Sequence, residues 1–274
     1  MKRTKINIPL KKIKYIHHIS DVHIRNLKRH AEYEQVFERL YKKIKQNRED
    51  SIIYIGGDIA HSKTDMSPEL VDQTSRFLKS LSEICPTIVI TGNHDCNLNN
   101  LNRLDVLTPI INNLNLPNLH YLKRSGVYDI ADMSFVVWDV WEDEEDYIKA
   151  SDFKADTKVV LYHGTVDRSK TDVGFSLPGK VTIDYFDGYD LGLIGDIHKR
   201  QYLDKEKTIA YCGSLIQQNH GESIGHGYLL WEVETKKSEY IEIPNDYGYY
   251  TIDIDKGIVP DVKGMPKKAR LRVR

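Results

Sequence analysis

Cysteine is scarce in this sequence of 274 residues. Cys85, Cys96 and Cys212 form neither an even set nor a C-x-x-C pair. That excludes a disulfide framework and points to a reducing, intracellular setting with plain buried thiols. Long apolar runs are missing too. None approaches the ~20 residues a membrane span requires, and the basic N-terminus has no apolar segment behind it. The expectation is an intracellular protein, cytoplasmic or, in a eukaryote, nuclear, with no membrane partner. An excess of either charge is also absent. With 39 Lys+Arg against 40 Asp+Glu the net charge is -1, so a polyanion would be held by local patches or by bound metal, not by an overall field. There is no internal repeat and no low-complexity segment. The length suits one large domain or two small ones, enough to bury a core without staples.

What is present is a recurring device, an apolar β-branched run that reads as a buried strand and ends in residues of metal-binding type. Thr87-Ile88-Val89-Ile90 leads to Gly92-Asn93-His94-Asp95, and Tyr15-Ile16-His17-His18-Ile19-Ser20 leads to Asp21-Val22-His23. Ser51-Ile52-Ile53-Tyr54-Ile55 ends in Gly56-Gly57-Asp58, whose glycines allow a sharp turn and the close approach of an ion. Lys158-Val159-Val160-Leu161-Tyr162 delivers His163-Gly164, and Leu191-Gly192-Leu193-Ile194 delivers Gly195-Asp196-Ile197-His198. Open α/β sheets bind their ligands beyond the carboxyl ends of strands, so five such turns imply one site. Residues two apart in an extended chain point the same way, which lets Asp21 and His23 share a point in space, and likewise Asp196 and His198. His17 and His18, inside a strand, read as hydrogen-bonded sheet histidines.

Imidazoles mixed with carboxylates and one amide suit manganese, iron, zinc or magnesium, and the absence of Cys argues against a structural zinc. Asp21, His23, Asp58, Asn93, His94, His163, Asp196 and His198 exceed the needs of a single ion. Two ions about 3.5 to 4 Å apart with a bridging carboxylate would engage seven of them and leave one for proton transfer. Such a pair activates a water and clamps a phosphoryl group for in-line displacement, which makes phosphoester hydrolysis the natural reaction.

The remaining segments frame these turns. Ala31 to about Gln46 has helical spacing, and a second helix opens at Ser67 as N-cap with Pro68 behind it and runs to about Ile84. The polar stretch from Asn97 to Arg103 fits either a nucleic-acid-facing loop or a set of turns. A short helix to about Asn113 precedes strands at 119–122, 127–130 and 134–140. The acidic run Glu142 to Asp146 reads as a solvated helix start. Residues 165–181 read as a loop over the site, and 227–233 with 239–243 as a hairpin. Met1 to Lys14 reads as a basic edge segment more readily than as a phosphate-binding arm. Residues 266–274 alternate like a strand with no turn or partner after them, so they either pair with the sheet or begin a further domain.

Asp21-x-His23, Gly57-Asp58, Gly92-Asn93-His94-Asp95, His163-Gly164 and Gly195-x-Ile197-His198 resemble, in order, the signature motifs of the calcineurin-like metallophosphoesterases. The resemblance implies a four-layer αββα sandwich of two mixed β-sheets flanked by helices. Within that superfamily Ser20-Asp21-Val22-His23, Gly57-Asp58-Ile59-Ala60-His61-Ser62-Lys63 and Gly213-Ser214-Leu215 resemble the DNA-repair nucleases of the SbcD and meiotic-recombination type. The resemblance implies one ion on Asp21, His23, Asp58 and His198 and another on Asp58, Asn93, His163 and Asp196. It also implies His94 as proton donor held by Asp95, and His61 as a phosphate-positioning residue. Asp196 stands where most relatives carry histidine, and a third carboxylate favours harder ions, manganese or magnesium. Arg25, Lys63, Arg103, Lys199, Arg200 and the Gln217 to His220 group are candidate DNA contacts.

The expected domains are a nuclease domain over 1–250 and a tail over 251–274 that resembles the first strand of a capping domain. The resemblance further implies an SbcC-type coiled-coil ATPase partner and a homodimer through the helices near 67–84 and 101–113. The leading expectation is a manganese-dependent DNA nuclease. A phosphodiesterase or phosphatase for small phosphoesters is the alternative, and a non-catalytic metal-binding scaffold a third.

Overall fold

The computed structural model describes residues 2–274 except Thr64, Leu101 and Val259. In chain order it begins with β1 (Arg3–Ile6), β2 (Tyr15–Ile19), α1 (His30–Gln46), β3 (Ser51–Ile55), α2 (Pro68–Ser82) and β4 (Thr87–Val89). Then come α3 (Leu107–Leu114), β5 (Leu119–Tyr121), β6 (Gly126–Ile130), β7 (Met133–Trp138), β8 (Lys158–His163) and β9 (Leu191–Gly195). The chain continues with β10 (Gln201–Tyr202), β11 (Ile209–Tyr211), β12 (Gly227–Glu232), β13 (Lys237–Glu242), β14 (Tyr247–Ile252) and β15 (Lys268–Val273).

These strands form a seven-stranded sheet of order β1-β6-β7-β8-β9-β11-β10, a six-stranded sheet of order β13-β12-β2-β3-β4-β5 and a ribbon of β14 with β15. Both large sheets are mixed: β2, β3, β4 and β5 run parallel, as do β7, β8 and β9, whereas β12 joins β2 and β6 joins β7 antiparallel. The basic N-terminal segment is indeed an edge strand, β1, aligned with β6.

Alternation along β3 shows how the layers form. Ile52 and Tyr54 point between the sheets, against Leu161, Leu191 and Leu193 of the other sheet. Ile53 and Ile55 point outward, beneath α1 and α2, where Tyr33, Phe37, Leu40, Phe77 and Leu81 cover them. Each fully buried side chain of this size contributes about 1.5–3 kcal/mol. Ser67 caps α2 by accepting from Leu70 N at 3.2 Å, with Pro68 in the first turn, worth about 1 kcal/mol. The far face of the seven-stranded sheet differs from the expected helical layer. It is covered by three 3₁₀ turns, Glu144–Asp146, Ala150–Asp152 and Ile183–Phe186, and by aromatics around Trp138. The acidic run is thus one 3₁₀ turn, too short to propagate a helix.

His17 has the expected sheet partners, Tyr228 Oη at 3.3 Å and Asn47 O at 3.1 Å. His18 does not: its ring nitrogens are buried without a partner among the described residues, and burial lowers its pKa to about 3, which keeps it neutral. All three cysteines are buried as free thiols. No helix among the described residues is long and apolar enough to cross a membrane. The C-terminal strand pairs in parallel with β14, not with either large sheet, and β14 itself spans the expected boundary at 250/251.

Candidate metal centre

The parallel strands β2, β3 and β4 of one sheet and β8 and β9 of the other end at a common edge, and there the five turns meet. Asp21, His23, Asp58 and Asp196 all have positive φ, at 53°, 51°, 54° and 101°. Non-glycine residues in this region cost on the order of 1–3 kcal/mol each, and they persist where surrounding structure imposes them. Gly57 turns at φ 89°. At Gly92 an added Cβ would lie 2.2 Å from both the backbone nitrogen and Oδ1 of Asp58, so the loop after β4 can pass the Asp58 turn only without a side chain at this position. Gly92→Ala is therefore expected to displace the Asp58 carboxylate and lower activity by about 10²-fold, the order expected for a 1 Å misplacement. Circular dichroism and kinetics on the same preparation would check this.

Asp58 lies between two groups. Its Oδ2 is 3.5 Å from His23 Nε2, and its Oδ1 is 3.4 Å from His163 Nε2. Asp21, His23 and His198 bring one ligand atom each within 4.8 Å of one another, and so do Asp21, Asp58 and His163. His23 Nε2 faces His198 Nε2 at 3.1 Å, and Asp196 Oδ1 is 4.0 Å from His163 Nε2. The residues fit a pair of cations on a further observation. Asn93 Oδ1 and His163 Nε2 are both buried without a hydrogen-bond partner among the described residues, whereas buried polar atoms are normally satisfied. Asp21, His23, Asp58 and His198 could hold one ion and Asp58, Asn93, His163 and Asp196 the other.

The electrostatics point the same way. Burial raises the Asp21 carboxyl to about 6 against the opposing charges of His163 and His198. Burial would raise Asp58 as well, but the charge of the nearby His163, then that of His23, hold it well below the usual carboxylate range. Burial disfavours charge on His163, yet Asp58 outweighs it and raises that imidazole well above its ordinary value. The carboxylates draw positive charge from imidazoles, a role that divalent cations fill when imidazole acts as a neutral ligand.

One expected pairing is corrected. Asp95 does not hold His94: its Oδ1 accepts from Ala60 N and its Oδ2 from Gly92 N, both at 2.9 Å. Asp95 is fully buried beneath the two turns, so its carboxylate ties the β3 loop to the β4 loop. The His94 ring is held instead at Nδ1, 2.9 Å from the His61 carbonyl, and it stacks on the His61 ring at 5.4 Å. One ring nitrogen each of His23, His61 and His94 also come within 4.8 Å of one another.

Among the other candidate residues, Arg25 reaches the site, with Nη1 3.0 Å from His61 Nε2. Lys199 Nζ donates to Thr171 O at 3.4 Å. Arg200 packs its guanidinium 3.8 Å from the Tyr240 ring centre, which occupies it in packing. Lys63 and Arg103 are exposed. Gln217 and Gln218 are buried and serve the structure: Gln217 exchanges hydrogen bonds with Tyr249 of β14, and Gln218 Nε2 donates to Ile216 O.

Two residues were not foreseen. Thr165 Oγ1 donates to Asp196 Oδ2 at 2.8 Å. Glu222 Oε1 accepts from His198 Nδ1 at 2.8 Å, which turns Nε2 toward the cluster and makes that nitrogen the ligand atom. The Glu222–His198 hydrogen bond raises His198 to about 9 against burial. No sequence motif marks Glu222, which lies in a loop 24 residues away. Glu222→Gln should weaken metal binding about 10- to 100-fold, as read from metal titration of the purified protein.

A metal-dependent phosphoesterase is the class that this fold and cluster define. The chain belongs to the calcineurin-like phosphoesterase family, whose model matches residues 14–246. It is 50% identical to "Uncharacterized protein R555" of Acanthamoeba polyphaga mimivirus, over 95% of this chain and 20% of that protein. It is 25% identical to "Putative phosphoesterase 244L" of Invertebrate iridescent virus 6, over 65% of this chain and 63% of that protein. The chain thus spans about a fifth of the first relative and less than two thirds of the second.

Proposed function

We propose that this chain is a two-metal, manganese-dependent nuclease that hydrolyses the phosphodiester backbone of DNA in repair or recombination. The observation that carries the reading is His94, a ring fixed at Nδ1 by a backbone carbonyl and set beside the Asp58 cluster but outside the two proposed ligand sets. Its Nε2 is left free, and in the imidazolium form of the ring it carries the proton to be given. The leaving group of a DNA phosphodiester is an alkoxide, which needs that proton, and an imidazole near neutrality can supply it. When bound, a pair of divalent cations activates water and neutralises charge on the phosphoryl oxygens. Arg25 and His61, joined at 3.0 Å, would orient the phosphate from the same side as His94. DNA is the proposed polymer substrate. An SbcC-type ATPase partner, a capping domain beginning in the C-terminal ribbon, and self-association through α2 and α3 rest on the resemblance alone.

The test compares labelled single-stranded DNA, duplex ends and bis-p-nitrophenyl phosphate with manganese. Polymer degraded far better than the small ester is the expected result. The reverse order would make the chain a small-molecule phosphodiesterase. For the metal, three carboxylates at the cluster favour manganese or magnesium over zinc. Asp196→His is expected to shift the preference toward zinc in activity and in competitive binding, and an unchanged order across the metal series would remove the idea.

A further inference from the structure

Residues 170–176 form a small braced finger beside the metal centre. Lys170 bridges Ser176, Thr171 N donates to Phe175 O at 2.9 Å, and Gly174 turns the tip at φ 91°. The finger is tied to the segment that follows His198. Gln201 accepts from Lys170 N at 2.9 Å and donates back to Lys170 O at 2.8 Å, and Lys199 reaches Thr171 O. Ser223 N also donates to Asp172 Oδ1 at 3.4 Å. At the tip Val173 and Phe175 are 64% and 72% exposed. A fixed tip that presents apolar side chains to solvent calls for an occupant more than a scattered surface residue does.

Between this finger and the metal-type residues Asp196 and His198 lies a cavity of about 370 Å³, within the range of small-ligand pockets. Its apolar wall is Val173, Leu177 and Ile197, and its polar rim includes Asp172, Lys199 and Asn219. Its lining carries three carboxylates, Asp172, Asp196 and Glu222, against the Lys199 ammonium and the His198 imidazole. That balance disfavours a phosphate inside the cavity and favours a neutral group with hydrogen-bond donors on its edge. An apolar wall with a polar rim matches a flat heterocycle, which has an apolar face and a polar edge.

We propose that the cavity is a nucleobase pocket that takes the base of the nucleotide whose phosphate lies at the metal centre. Val173, Leu177 and Ile197 contact the ring face, and Asp172 and Asn219 meet its edge. The proposal rests on the phosphodiester reading above, and it makes the finger a specificity element.

Manganese-loaded protein is assayed on thymidine 5′-(p-nitrophenyl phosphate), on the corresponding abasic deoxyribose ester and on methyl p-nitrophenyl phosphate, which share one leaving group. The expected kcat/KM advantage of the thymidine ester over the abasic ester is roughly tenfold or more, the order of one base contact. In Val173→Asp and in Leu177→Gln that ratio falls toward one. Val173 is mostly exposed, so the first variant does not threaten the fold. Equal rates on the thymidine and abasic esters, or a ratio unchanged in both variants, would overturn the pocket. Binding of thymidine 5′-monophosphate against deoxyribose 5-phosphate gives the same comparison without turnover. A protein that prefers the thymidine ester yet leaves polymeric DNA intact keeps the pocket and loses the nuclease reading. One that degrades DNA with no base preference keeps the nuclease and loses the pocket.

Discussion

Asp58→Asn is expected to lower kcat/KM by about 10³-fold or more and to reduce the bound metal from two ions toward one. The carboxylate sits with one oxygen toward His23 and the other toward His163, and its folded environment keeps it ionised. An amide of the same shape retains an acceptor oxygen but loses the charge and one of the two oxygens. Several kcal/mol of transition-state charge stabilisation depend on the cations it would join, and about 4 kcal/mol corresponds to that factor. Elemental analysis of the purified variant beside its kinetics checks both halves. Full metal content with lost activity would mean that Asp58 does not bridge.

His94→Gln is expected to cost about 10²–10⁴-fold on DNA, the usual contribution of a positioned acid, with metal content unchanged. The size of the loss should depend on the leaving group. A nucleoside alkoxide needs the proton that His94 would give, whereas p-nitrophenolate leaves without one, so the variant should lose far less on bis-p-nitrophenyl phosphate. Equal losses on the two substrates would assign His94 a different task. A fall in metal content would place it with His23 and His61 as a ligand, an arrangement that their spacing allows.

The parts legible in the sequence were local ones. Each of the five turns follows its own strand, so the apolar run and the polar group after it could be recognised together. Their meeting followed from the rule that parallel sheets bind at one edge. Ser67-Pro68 and the hairpin about Lys236 were visible for the same reason. What escaped depends on chain segments far apart. Glu222 is aimed at His198 by a loop with no periodicity. Asp95 looked like the partner of its neighbour His94, yet its buried carboxylate is claimed by two backbone donors that only the folded turns bring to it. The outer layer of the seven-stranded sheet was invisible because 3₁₀ turns carry no long repeat. β14 was missed since its pairing with β15 joins residues about twenty apart through a stretch without strand pattern. Which nitrogen of an imidazole faces the cluster cannot be read from any motif.

The C-terminal ribbon is stitched to the rest by a buried clasp. Arg29 Nε lies 2.9 Å from Glu32 Oε2, Arg270 Nη2 lies 2.8 Å from the same oxygen, and Arg29 and Glu32 are 3% and 0% exposed. Gln217 links Tyr249 to the Glu222 backbone. A protein shortened at residue 250 would keep four of the six residues of β14 and lose β15 with Arg270. Glu32 would lose the half-exposed Arg270 while keeping Arg29, and what remains of β14 would lose its paired strand. The workable cut for making a smaller piece therefore does not lie at 250/251, because β15 both completes the ribbon with β14 and is anchored on α1 through Arg270 and Glu32.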